Sequence, residues 1–144
     1  MPIAPDRRTR RRRILGWTVT VLAVAGIGAA ILREQIKETG DRNTRVAMLT
    51  DGGDTARGQQ LFQDYGCVAC HAMRGVPQAQ AMVGPPLDGF GSRTVIAGKL
   101  ANNPGNLKLW IMDPQAVSPG TLMPRLGVSP GDAKDLAAFI YSRS

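Results

Sequence analysis

Histidine and cysteine are nearly absent from this chain of 144 residues: His71 is the one histidine, and Cys67 and Cys70 are the two cysteines. A structural zinc site takes four ligands of these types, so three such residues, two of them adjacent, exclude it. Aromatics are also few: Trp17, Trp110, Tyr65, Tyr141, Phe62, Phe90 and Phe139 make up the whole set. Side chains alone would therefore build a thin core. No alternating strand pattern of any length appears, nor any internal repeat or low-complexity block. Acidic residues are outnumbered, and the formal net charge is +7.

What is present is concentrated in one run, Cys67-Val68-Ala69-Cys70-His71. This Cys-x-x-Cys-His spacing is that of covalent haem c attachment. Two thiols bond to the haem vinyl groups, and the next residue turns an imidazole onto the iron. A thiol–disulfide pair is the other reading of two cysteines at this spacing. A buried haem would supply the apolar mass that the few aromatics leave missing.

The positive charge invites a nucleic-acid reading, and its distribution argues against one. Six arginines lie between Arg7 and Arg13, and from Arg33 onward 12 Lys/Arg face 10 Asp/Glu. The basic patch on a folded face that nucleic-acid binding needs is absent. Behind the arginines, Ile14 to Leu32 runs 19 residues without a charge. At about 1.5 Å per residue this just spans a hydrocarbon core of about 30 Å. The positive-inside rule then leaves the N-terminus in the cytoplasm and exports the rest. A cleavable signal peptide with Ala23-Val24-Ala25 as its site competes, but the apolar run continues seven residues beyond Ala25. An uncleaved anchor is the preferred reading.

The expected organisation is a basic cytoplasmic stub at 1–13, a transmembrane anchor at 14–32, a juxtamembrane helix and linker at 33–53, and a soluble domain at 54–144; Gly40 to Gly53 reads as the linker, ending in the breaker run Thr50-Asp51-Gly52-Gly53. Within that domain Asp54 or Thr55 can cap a helix with Leu61, Phe62 and Tyr65 on its apolar side. Asn103 caps a second helix, with Pro104 in its first turn and Asp113-Pro114 stopping it. Ser129 caps a last one, Pro130 at its first position and Ala133, Leu136, Ala137 and Ile140 as its apolar stripe. The fold class predicted is all-α, with loops wrapping a cofactor.

With one histidine, two histidines cannot ligate an iron within this chain. The opposite axial position falls to a methionine. Met73 is too close to the motif, Met82 lies in the proximal loop, and Met112 sits in a helix where core packing accounts for it. Met123 stands in an extended Leu-Met-Pro segment 52 residues after His71, so the chain has room to cross to the distal side. Methionine is more often a gap-filler than a ligand; given a covalent haem, Met123 is the expected ligand. His/Met ligation raises the reduction potential and fills both axial positions. Such a site passes single electrons and leaves no open coordination for bond-making chemistry, so no enzymatic activity is expected of the chain itself.

From about Asp54 to Tyr141 the chain resembles a class I monohaem cytochrome c, and is most similar to the domain fused to subunit II of caa-type cytochrome oxidases. The resemblance rests on CVACH, Gly84-Pro85-Pro86-Leu87, the run WIMDPQ from Trp110 to Gln115, Pro119 to Pro124, and the tail LGVSPGDAKDLAAFIYS. It implies the class I cytochrome c fold around one covalent haem. Cys67 and Cys70 would form the thioethers, with His71 and Met123 as metal ligands. The Pro85 carbonyl would accept the His71 Nδ1 proton; Pro86 follows where the family often has Asp or Asn. Arg93 and Trp110 would donate to the haem propionates, core packing being the other reading of Trp110. Gly58 would let the first and last helices of the domain cross near Leu136 and Ile140. The oxidase subunit also carries a copper-binding part, for which this chain has no second Cys/His cluster.

The function expected is a membrane-tethered electron carrier, shuttle or bound subunit, on the periplasmic side of a bacterial inner membrane. It would stand between a quinol-oxidising complex (a cytochrome bc-type complex) or dehydrogenase and a terminal haem-copper oxidase. A haem-based ligand sensor with a displaceable Met123 is the alternative; a peroxidase would need a distal base that the chain lacks. Lys99, Lys108 and Arg125 are candidates for a basic rim steering acidic partners, a solvated face being the plainer reading.

Overall fold

The computed structural model describes residues 7–143, residues 7–16 by their backbone alone. The chain divides into two units, residues 1–41 and residues 42–144. The first helix, α1, runs from Arg7 to Leu49. Residues 1–6 of the expected stub lie outside the described residues, and from Arg7 the backbone is helical. From Trp17 on, α1 is long and apolar enough to cross a membrane, and Trp17 to Leu32 are all exposed.

The segment expected as a linker after Gly40 is helical as far as Leu49. Its last turns belong to the second unit, where Val46 and Thr50 are buried and the Thr50 hydroxyl donates to the Val46 carbonyl at 2.7 Å. Asp51 and Gly52, both at positive φ, end the helix, and the Gly52 N–H closes back onto the Ala47 carbonyl at 2.7 Å.

Helix α2 spans Thr55–Asp64, capped by the Asp54 carboxylate on the N–H groups of Ala56 and Arg57. A two-stranded antiparallel ribbon follows, β1 (Val95–Ile96) and β2 (Leu100–Ala101). Helix α3 covers Pro104–Met112 behind the Asn103 cap. Asp113, expected only to stop it, also caps a further short helix, α4, at Pro114–Val117. The last helix, α5, covers Pro130–Ser142 behind the Ser129 cap. Strand content is confined to this ribbon and one isolated bridge among the described residues, so the domain is mostly helical.

Helices α2 and α5 form the centre of the core. A Cβ at Gly58 would overlap the Asp135 carbonyl oxygen and lie 2.7 Å from the Phe139 Cβ. Only glycine permits this approach. The crossing is thus at Asp135 and Phe139, one residue before the Leu136 and Ile140 expected for it, because those two turn toward a cavity instead. Phe62 meets Phe139 edge-on, ring centroids 5.6 Å apart, the geometry that ring quadrupoles favour. At the near end of the crossing, Arg57 bridges Asp132 at 2.5 Å and Asp135, and Tyr65 donates to Asp132 at 2.8 Å. Asp135 is 5% exposed, and its other oxygen accepts the Asp54 N–H at 2.9 Å, so the buried charge is paired and hydrogen-bonded, as burial demands.

Candidate functional site

Between α2, α3, α5 and the loops lies a cavity of about 400 Å³, within the range of small-molecule and cofactor sites, about 300–1,000 Å³. Its walls are largely apolar, with Phe62, Leu107, Ile111, Leu136 and Ile140 from the helices. Cys67, Cys70, His71, Pro85, Arg93, Trp110 and Met123 all line it. Seven residues picked from a chain in which they span 57 positions therefore meet in one place.

The CVACH run is wound tightly. Gly66, at φ 72°, turns the chain out of α2, and Cys67–Ala69 form a 3₁₀ turn in which the N–H groups of Cys70 and His71 both point to the Cys67 carbonyl, at 3.2 and 2.9 Å. Spacings of three and four residues on such a turn bring side chains to one side, so both thiols and the imidazole face the same cavity. Burial pushes the Cys67 thiol up to about 11. Reactive thiols have lowered values, so this environment suits a thiol–disulfide site poorly.

The His71 ring is fixed from two directions. Its Nδ1 lies 2.8 Å from the Pro85 carbonyl oxygen; a carbonyl only accepts, so Nδ1 carries the proton and the neutral imidazole keeps its lone pair on Nε2. Gly84 lies flat against the ring: a Cβ there would sit 2.7 Å from Nδ1, 3.0 Å from Nε2 and closer still to Cε1. The Gly84 N–H donates to the Cys70 carbonyl at 2.7 Å, so the glycine cannot back away.

Across the cavity, Met123 is the one methionine in its lining. Met73 is buried in the core, Met82 is 78% exposed, and Met112 packs half-buried against the core cluster. Arg93 borders the cavity while its guanidinium donates to the Pro86 carbonyl and lies 5.4 Å over the Phe90 ring. It thereby braces the loop that presents Pro85 to His71. Trp110 is half-buried against the core and borders the cavity.

These residues fit a haem c. The cavity is of cofactor size, two thiols and an imidazole with a free Nε2 lone pair face it from one turn, a thioether faces it from another segment, and an indole stands at its border. When bound, the group would supply one-electron redox chemistry; Cys67 and Cys70 would attach it, His71 and Met123 would hold its iron, and the helices would give it an apolar surround.

Two supports had no signal in residue spacing. Asn102 donates to the carbonyls of Phe90 and Arg93, at 2.8 and 2.9 Å, and accepts from Tyr141 at 2.5 Å, tying the Arg93 turn to α5. Gln115 holds the Met123 segment. The basic rim does not form as a free cluster: Lys108 pairs with Asp51 at 2.8 Å and Arg125 with Asp113 at 2.5 Å.

Comparison with known proteins agrees. The protein-family model described as Cytochrome c matches residues 55–144. The cytochrome c oxidase subunit 2 of Alkalihalophilus pseudofirmus is 41% identical over 87 residues, covering 60% of this chain and 25% of that protein. The cytochrome c oxidase subunit 2 of Bacillus sp. strain PS3 is 36% identical over 84 residues, covering 57% and 23%, and that of Bacillus subtilis 32% over 87 residues, covering 59% and 24%. The chain thus spans about a quarter of the length of these relatives. No solved structure gives a significant match.

Proposed function

The chain belongs to the cytochrome c family, and from that premise we infer that it is a single-electron carrier with one covalently held haem, tethered to a membrane by α1. The observation that carries this reading is the meeting of His71 and Met123 on the walls of one cavity. The chain closes both axial positions from its own side chains, which leaves electron passage and removes ligand chemistry. Cys67 and Cys70 form the attachment, Pro85 fixes the His71 tautomer, and Arg93 and Trp110 receive the propionates.

The relatives that match are named as oxidase subunits. That supports a haem-copper oxidase as the electron acceptor; the donor is a quinol-oxidising complex of the cytochrome bc type or a dehydrogenase. The uncharged span behind six arginines supports an anchor in a bacterial inner membrane, with the N-terminus cytoplasmic and residues 54–144 on the periplasmic face. A tether of this kind raises the effective concentration of the haem domain near membrane-bound partners.

The test is carbon monoxide binding to the reduced full chain in detergent at neutral pH, alongside electron transfer to an oxidase in the same membranes. Slow or negligible binding with transfer to the oxidase is the expected outcome. Rapid binding would instead assign the chain to ligand sensing.

A further inference from the structure

Met123 lies in a stretch with little to hold it. Among the described residues, no backbone–backbone hydrogen bond involves residues 122–128. The one ion pair in the segment, Arg125 with Asp113, has side chains 60% and 36% exposed, and an exposed pair of this kind contributes little. Val128 holds the far end of the segment in the core; on the Met123 side, the hydrogen bonds that remain are those of the Gln115 side-chain amide, half-buried on α4. Its Nε2 donates to the Thr121 carbonyl at 2.8 Å and to the Met123 carbonyl at 2.9 Å. Its Oε1 accepts the Gly120 N–H at 3.1 Å. Both N–H groups and the carbonyl of one amide are thus spent on three backbone groups spread over four residues.

We propose that Gln115 is the positioning residue for Met123, setting how firmly the thioether is kept on the distal side of the site. The inference rests on the reading of Met123 as the axial ligand given above. The chemistry is specific to an amide. Two carbonyls must receive donors while an N–H finds an acceptor on the same group, and no other side chain of this length offers both. A carboxylate at 115 would turn two of the three bonds into oxygen–oxygen contacts without a proton. A thioether of similar volume would offer no donor at all. In either case the Met123 carbonyl is released, and the segment that carries the ligand loses the hydrogen bonds that hold it beside α4 while the ligand itself is untouched.

The experiment uses the haem-loaded full chain with Gln115→Glu and Gln115→Met, read by the charge-transfer band of the thioether-ligated ferric iron and by carbon monoxide combination with the ferrous form. The wild type is expected to show the band and to bind carbon monoxide slowly. Both variants are expected to weaken the band and to raise the combination rate by about tenfold to a hundredfold, the population change that loss of one or two hydrogen bonds produces. A residue that merely stabilised α4 would lower the melting temperature and leave both optical readouts in place. A wild-type band and combination rate in Gln115→Met therefore overturn the proposal while leaving Met123 as ligand. A wild type that itself lacks the band and binds carbon monoxide rapidly overturns both. Should the variants fail to retain haem, hydrogen exchange in the wild type decides. Gln115 Nε2 protons exchanging at least about tenfold more slowly than a free amide support the proposal; exchange at the free-amide rate overturns it.

Discussion

The folded domain should not survive without a group in its cavity, and Cys67→Ser/Cys70→Ser in one chain is the perturbation that shows it. Nine of the fifteen residues in the buried apolar cluster also line the cavity. The core is therefore largely a shell, and only Met73, Val76, Ala79, Ala133, Ala137 and Phe139 of the cluster do not border the cavity. Internal cavity volume destabilises by about 24 cal/mol per Å³. Over about 400 Å³ this amounts to roughly 10 kcal/mol, comparable with the whole stability of an ordinary domain, about 5–15 kcal/mol. Water entry or partial collapse reduces the penalty but costs the native packing in exchange. The double variant, produced in full length and stripped of loosely held haem, is expected to keep the far-ultraviolet signal of α1. It should lose near-ultraviolet ellipticity around Trp110, bind a hydrophobic dye and show no cooperative melt of residues 42–144. A cooperative transition within about 5 °C of the haem-loaded protein, a shift worth only about 1 kcal/mol, would refute the reasoning.

Gly58→Ala places a Cβ inside the Asp135 carbonyl oxygen, and backbone cannot rotate aside. Overpacking of up to about 3 kcal/mol outweighs the gain of about 1 kcal/mol in helix propensity, so calorimetry of the haem-loaded chain should show a melting temperature lower by about 10 °C; an unchanged or raised value would contradict the close crossing. Gly84→Ala pushes the His71 ring off the Pro85 carbonyl, because the added Cβ falls 2.7 Å from Nδ1; histidine resonances or the Soret position should move and haem retention fall, by analogy with the about 10- to 100-fold losses seen when a ligand's supporting partner is removed. Asp132 is held below the usual carboxylate range by hydrogen bonds from Tyr65 and Ser129 and by Arg57. A depressed folded value contributes stability above the ordinary aspartate value of about 3.9, lost as pH falls through the lower folded value. Asp132→Asn should therefore flatten the acid limb of the stability–pH curve below about pH 4; identical acid limbs in the two proteins would remove Asp132 from that role.

Caps and stripes were legible because they are local. Asp54, Asn103 and Ser129 cap their helices as their side chains predict, and the stripe Ala133, Leu136, Ala137, Ile140 is buried throughout. The seven cavity residues were found by chemistry and by resemblance, since ligand types are few enough in this chain to be enumerated. What stayed hidden were contacts between side-chain amides and distant backbone or side-chain groups. Asn102 reaches Phe90 and Tyr141, and Gln115 reaches Met123, across 8 to 39 positions. An Asn or Gln that satisfies remote carbonyls leaves no period, no spacing and no charge pattern by which to recognise it. α4 escaped for a related reason: Asp113-Pro114 signals a stop and a start with the same two residues.

The segment between span and domain shows how a correct stop signal can carry a wrong boundary. The breaker run Thr50 to Gly53 is a real terminus, with Asp51 and Gly52 at positive φ. Gly40 is not, since α1 runs on through it to Leu49. An isolated helix glycine costs about 1 kcal/mol relative to alanine, which a continuous helix absorbs when residues on both sides favour it. Here the far side is anchored: Val46 and Thr50 are buried, and a Cβ at Gly53 would lie 2.7 Å from both Ala138 Cβ and the Lys134 carbonyl. The Gly53 contacts tie the end of this segment to α5. The propensity of Gly40 is outweighed by burial a few residues later, a non-local quantity. The glycine that must be glycine is Gly53, for want of space beside α5, and its neighbours Asp51 and Gly52 turn the chain so that this approach can be made.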